Sequence, residues 1–229
     1  MSPQELARFI QYTNVAPDMT RDQVIAHCET CLKYEFDAAM LAPCWTPLAL
    51  EILRGSRSHV ASAFSFPNGN DSTAMKVAMV HSLVEGDVFD FDFTANTGFL
   101  LSDMESEFLT DLKAVADAAR SAGAQTKVIL EFGLLPSESL RRRAAELAID
   151  AGIDFLKQSS GFVNGVPATP EDVAFLHRIA AGRARVKASG KINSRAKAQA
   201  LIAAGASLLG TSSAVAIVTG KQPELTSVY

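Results

Sequence analysis

Eight short apolar runs punctuate the chain, at residues 9–13, 38–41, 59–64, 88–93, 127–131, 153–157, 185–187 and 207–210. Each has the length of a buried strand and is too short for a stable helix. The stretches between them carry apolar residues at helical spacing; Leu140, Ala144, Leu147 and Ala148 make one such stripe. Start signals agree with this division. Thr20-x-x-Gln23 and Ser102-x-x-Glu105 fit the reciprocal capping box. Thr169-Pro170-Glu171-Asp172 offers an N-cap, a proline at the first helical position and an acidic first turn, and Ser194 offers another cap. Glycines at Gly55, Gly86, Gly123, Gly152, Gly182 and Gly205 mark the helix ends.

Strict alternation of strand and helix predicts an α/β fold with a parallel sheet, and eight units in 229 residues predict a single (β/α)8 TIM barrel. The competing architecture is an open doubly wound sheet, but no Gly-x-Gly-x-x-Gly follows an early strand. One domain is expected over residues 1–229, with 221–229 as a flexible tail. In a barrel, chemistry gathers at the C-terminal ends of the strands.

Composition narrows the function classes. A net charge of -4 and the scatter of basic residues leave no nucleic-acid footprint. No apolar run is long enough to span a bilayer, and the N-terminus lacks a basic segment leading into an apolar one, so a cytoplasmic protein without membrane contact is expected. Three cysteines argue against a disulfide framework. Cys28 and Cys31 share a predicted helix face with Val24, which reads as helix core rather than a metal or redox pair.

Two predicted strands run into a lysine followed shortly by glycine: Ile153-Asp154-Phe155-Leu156-Lys157-Gln158-Ser159-Ser160-Gly161 and Val186-Lys187-Ala188-Ser189-Gly190. One such lysine is most often a surface residue whose stem reaches water. Two on successive strands would lie about 4.8 Å apart in backbone spacing, and their repulsion would leave one amine neutral near pH 7, able to attack a carbonyl and form a Schiff base. Asp92 supplies a carboxylate that can steady the remaining ammonium and pass protons through a water. Asp90 has the same side-chain parity; Asp92 is preferred because it is nearer the strand's C-terminal end, and a plain salt bridge to a barrel lysine competes for either.

Gly161, Gly190 and Gly210-Thr211-Ser212-Ser213 follow the last three strands, where backbone N–H groups and helix N-termini can bind phosphate. Tight turns are the alternative role for the glycines, and a plain N-cap for Ser212 and Ser213. The four histidines show no metal-ligand spacing, so no metal is predicted.

Over nearly its whole length the chain resembles the deoxyribose-phosphate aldolase family. Phe66-Pro67-Asn68-Gly69, Asp92-x-x-x-Asn96-x-Gly98, Lys127-Val128-Ile129-Leu130-Glu131, the two lysine motifs and Gly210-Thr211-Ser212-Ser213 carry the resemblance. It implies that Lys157 is the Schiff-base lysine, Lys187 the lysine that perturbs it and Asp92 the proton-relay acid. Gly161, Gly190, Lys191, Gly210, Ser212 and Ser213 are the expected phosphate-binding residues, with Thr13, Lys127 and Tyr229 as accessory candidates. The implied reaction is reversible cleavage of 2-deoxy-D-ribose 5-phosphate to acetaldehyde and glyceraldehyde 3-phosphate. It needs no metal or organic cofactor, only the covalent imine on Lys157. The implied partners are a phosphorylated deoxy sugar and small aldehydes, and a homodimer or higher homo-oligomer is compatible with the sequence.

Some positions depart from the family pattern. Gln11-Tyr12-Thr13 stands where the family usually reads Asp-x-Thr, which removes a charge from the barrel mouth. Lys191-Ile192-Asn193 stands where Gly-Ile-Arg is common; a glycine takes positive φ freely and Lys191 does not, although its ammonium can offset that. Gln158 replaces a usual threonine. These differences motivate two alternatives: a related Schiff-base aldolase with another donor or acceptor, and a catalytically silent phospho-sugar-binding barrel. Some family members end in a tyrosine that folds over the site; Tyr229 is either its equivalent or a frayed terminus.

Overall fold

A computed structural model describes residues 1–221. Eight strands close into a barrel: β1 (Ile10–Asn14), β2 (Ala38–Leu41), β3 (His59–Phe64), β4 (Asp90–Thr94), β5 (Gln125–Ile129), β6 (Phe155–Lys157), β7 (Arg185–Ser189) and β8 (Leu208–Thr211). All neighbours pair parallel and β8 returns to β1, so the predicted (β/α)8 TIM barrel forms. Each predicted run overlaps its strand. No helix among the described residues is long and apolar enough to cross a membrane.

Capping decides most helix boundaries. Thr20 and Gln23 bond reciprocally at the start of Arg21–Tyr34, Thr169 accepts from the Asp172 N–H, and Ser194 accepts from the Lys197 N–H. Ser102 behaves differently from its sequence signal. It closes a short helix, Thr97–Leu101, and Asp103 then turns the chain through φ 58°, so that Glu105–Ser121 starts after Met104 without a side-chain cap. Cys28 and Cys31 are fully buried in their helix, and burial pushes the Cys28 thiol up to about 11, which fits core packing and not reactivity.

Register fixes which side chains fill the barrel. The pairs Gln11–Ala38, Gln11–Gly210, Ala63–Asp92, Asp92–Lys127 and Lys157–Lys187 lie side by side on adjacent strands and therefore share the inner face. The alternate residues, Phe91 and Phe93 among them, pack outward against the helices in one large apolar core. Inside, β2 and β3 contribute a small separate cluster, Ala38, Met40, Ala61 and Ala63. Its three alanines leave room for the long lysine stems that β5, β6 and β7 send into the lumen.

Candidate active site

Asp92 lies between the lysines that the sequence singled out. Lys157 Nζ donates to Asp92 Oδ2 at 2.7 Å, and Lys187 Nζ donates to Oδ2 at 2.9 Å and Oδ1 at 3.0 Å. Lys127 approaches Oδ1 from below at 3.5 Å. Burial alone would raise the Asp92 pKa; the three cations reverse that and hold it well below the usual carboxylate range. Burial also disfavours a charged Lys187, and repulsion from Lys157 and Lys127 outweighs enough of Asp92's attraction to bring it down to about 7. The amine that burial and repulsion lower is thus that of Lys187, the deeper member of the pair, whereas the expected Schiff-base lysine is Lys157. Asp92 Oδ2 touches both amines, so a proton has a direct route between them.

One layer further down, Asp90 has a separate set of partners. Asp90 Oδ1 accepts from Lys127, while Oδ2 accepts from Gln11 Nε2 and bonds His59 Nε2, both at 2.8 Å. Burial opposes ionisation of Asp90, but Lys127 and His59 keep it well below the carboxylate range. Burial likewise opposes a charged Lys127, yet Asp90 and Asp92 raise its proton affinity. Asp90 is thus the structural salt-bridge partner and Asp92 the carboxylate at the amines. Asp37, His59 and Asp90 also bring ligand-type atoms within 4.8 Å of one another at the N-terminal end of the barrel, a grouping that sequence spacing hid. Gln11 and Lys127 already occupy its oxygens.

Above the amines a cleft opens at the C-terminal end of the strands. Thr13, Met40, Ala63, Phe66, Asp92, Lys157, Ser160, Ser189, Gly190, Lys191, Gly210 and Ser212 are among its lining. Lys157 faces this space; Lys187 and Lys127 lie beneath it and do not line it. Close approach requires glycine at Gly190 and leaves little room for a side chain at Gly210. A Cβ on Gly190, at φ 113°, would fall 2.7 Å from the Val166 carbonyl oxygen, and one on Gly210 would fall 3.2 Å from Lys187 Cε. Lys191 does adopt the left-handed conformation, at φ 50°, with its carbonyl accepting from Lys197 Nζ. Gly161 and Ser213 fall outside the lining, and their N–H groups are spent within their own loops, on Ser159 Oγ at 3.0 Å and Thr211 Oγ1 at 2.9 Å. Thr13 lines the cleft and donates to the Gln11 carbonyl at 2.9 Å. Tyr229 lies outside the described residues.

Other contributors lie in the motifs quoted above but are not among the residues expected in the site. Glu131 sits just past β5 in the left-handed conformation, fully buried, and accepts from Ser159 Oγ at 3.1 Å and the Ser160 N–H at 3.0 Å. It clamps the loop that leaves Lys157. Ser189 Oγ donates to the Ser159 carbonyl at 2.6 Å and Gln158 Nε2 to the Ser189 carbonyl at 2.6 Å, which ties that loop to β7. Phe66 closes one wall and meets Phe162 edge-on at 5.0 Å. A glutamate ending an apolar run was the one visible signal, of the same kind that marked Lys157.

The chain is similar to known proteins over nearly its whole length. Deoxyribose-phosphate aldolase of Geobacillus sp. (strain WCH70) is 36% identical over 216 residues, which cover 94% of this chain and 96% of the relative. That of Shouchella clausii (strain KSM-K16) is 37% identical over 218 residues, with 94% and 96% covered. Among solved structures, the tetrameric deoxyribose phosphate aldolase from Aeropyrum pernix has a TM-score of 0.84 at 28% identity, covering 96% of this chain and 92% of that one. No protein-family model matches the chain. Identity at this level over almost the full length of both partners means that the chain belongs to the deoxyribose-phosphate aldolase family.

Proposed function

We propose that this chain is a Schiff-base aldolase that reversibly cleaves 2-deoxy-D-ribose 5-phosphate to acetaldehyde and D-glyceraldehyde 3-phosphate. The observation that carries the reading is that Lys157 alone of the three lysines around Asp92 faces the cleft, while bonded to the carboxylate that also holds Lys187. Once Asp92 has relayed a proton from Lys157 to Lys187, the Lys157 amine adds to the C1 aldehyde, and the carbinolamine loses water to give a protonated imine. Deprotonation of the C3 hydroxyl then drives its oxygen lone pair into a carbonyl; the C2–C3 bond breaks and its electrons flow to the iminium nitrogen, leaving an enamine as glyceraldehyde 3-phosphate departs. A proton returns to C2, and water releases acetaldehyde from the new imine. Asp92, in contact with both amines, is placed to move these protons through a water. The imine nitrogen itself serves as electron sink, so the chemistry calls for no metal or organic cofactor.

The Lys191 ammonium, with the backbone beside Gly190 and Ser212, is the part of the cleft suited to a phosphate. Borohydride reduction in the presence of acetaldehyde, read by peptide mass spectrometry, should leave an N-ethyl group on Lys157. Absence of an adduct on Lys157 would overturn the reading and favour a silent sugar-phosphate-binding barrel.

A further inference from the structure

Gln11 is completely buried in the barrel, and its amide oxygen and both amide hydrogens are bonded. Oε1 accepts from Lys187 Nζ at 2.6 Å; Nε2 donates to Asp90 Oδ2 at 2.8 Å and to Asp37 Oδ2 at 2.9 Å. The orientation of the amide is settled by charge, since a flipped group would aim its hydrogens at an ammonium and its oxygen at two carboxylates. We propose that Gln11 is a positioning residue: its uncharged amide orients Lys187 while leaving the buried lysine cluster with more positive than negative charge, which keeps an amine ready to lose its proton.

An amide fits these particular partners in a way that the aspartate usual at this position in the family would not. A carboxylate could accept from Lys187 but could donate nothing to Asp37 or Asp90, and it would add a negative charge against them. A hydrocarbon would leave Lys187 one acceptor short and both aspartates one donor short. With glutamine, the buried ions of this cluster are Lys127, Lys157 and Lys187 against Asp90 and Asp92. The groups facing Lys187 come from every strand around it. Asp92 approaches from β4, Lys127 from β5, Lys157 from β6 and Gln11 from β1, while β8 contributes the uncharged Leu208 and Gly210. Asp37 and His59 stand behind Gln11 at the N-terminal rim. Among the buried ions, the surplus cation follows from having an amide and not a carboxylate at position 11; the half-buried Asp37 stands beyond that amide at the rim.

The proposal rests on the aldolase reading only for the use made of that amine. Its test is lysine side-chain ¹⁵N NMR titration of the full chain and of Gln11→Glu, with the double variant Gln11→Glu, Asp37→Asn as insurance against misfolding, because the amide introduced at position 37 could donate to the new carboxylate. The Lys187 resonance should titrate in the neutral range in the unaltered chain and at least about one pH unit higher in a folded Gln11→Glu variant. An unmoved Lys187 titration in either folded variant would overturn the proposal. Borohydride trapping run alongside reports separately on the aldolase reading: a shifted titration with no imine on Lys157 would leave the role of Gln11 standing and remove its catalytic purpose.

Discussion

Lys157 and Lys187 stand in register on adjacent strands, and both ammonium nitrogens bond the same oxygen, Oδ2 of Asp92, at 2.7 and 2.9 Å. Like charges this close, in a site that water barely reaches, are a stability cost that folding alone gives no reason to keep. Replacing Lys157 by leucine should therefore separate chemistry from stability. Activity should fall at least about a thousandfold, because the nucleophile is gone. The melting temperature should hold or rise, since Asp92 keeps Lys187 and Lys127 as partners. Retained cleavage in Lys157→Leu would hand the nucleophile's role to Lys187.

The lowered groups on the two sides of neutrality act with one sign, and Lys127 alone among these four opposes them. Folding lowers Lys187 from 10.5 to about 7, so between those values the unfolded chain holds more protons and the fold gains stability as pH rises. Asp90 and Asp92 are held low; the stability they give is complete above the ordinary 3.8 and is lost as pH falls through their folded values. Lys127 is raised above 10.5, and its contribution fades only at higher pH still. Urea midpoints should accordingly climb from pH 7 to pH 9, and Lys187→Met should flatten that climb. On the kinetic side, kcat/KM should drop about tenfold per pH unit on the acid side of the Lys187 titration.

What the sequence reveals here follows from which information is local. Strands were readable because each is a short apolar run, and the lysines stood out because a cation at the end of such a run is unusual. Asp90 and Asp92 could not be separated by parity, because both truly point inward; only the cross-barrel partners, Lys127 below and Lys157 above, distinguish them. Gln11 read as a missing charge, and its actual role depends on Lys187, distant in sequence and brought to it by barrel closure. Ser102 misled for the opposite reason: its motif was locally sound, but the short helix before it took the residue as its own terminus.

Glu131 ties the conformation of one loop to the position of the nucleophile. Its carboxylate receives a hydroxyl and a backbone N–H from Ser159 and Ser160, the residues two and three beyond Lys157. Glu131→Ala should cost about 2–4 kcal/mol by leaving buried donors unpaired. It should also lower kcat/KM by about 10–100-fold through misplacement of the Lys157 loop. Glu131→Gln, which keeps one acceptor and gains a donor that Ser159 Oγ can receive, should lie between the two in both measurements. Thermal melts with steady-state kinetics would test the link: an alanine variant destabilised but kinetically normal would show that the clamp supports the fold and not the site.

Lys191 sets backbone preference against charge at the cleft. Its φ of 50° is a conformation that a glycine adopts freely and a lysine adopts at a penalty, while its side chain lines the end of the cleft suited to phosphate. In Lys191→Gly the relief of left-handed strain should raise stability by about 0.5–1 kcal/mol, somewhat offset by the greater freedom of glycine in the unfolded chain. The same substitution removes a cation that a phosphorylated substrate meets equally in ground and transition states, so KM for 2-deoxy-D-ribose 5-phosphate should rise several-fold with kcat little changed. Cleavage of unphosphorylated 2-deoxyribose supplies the control, because it lacks the group that Lys191 would contact and should be insensitive to the change. A variant in which both substrates suffer alike would place Lys191 in loop geometry and not in phosphate recognition.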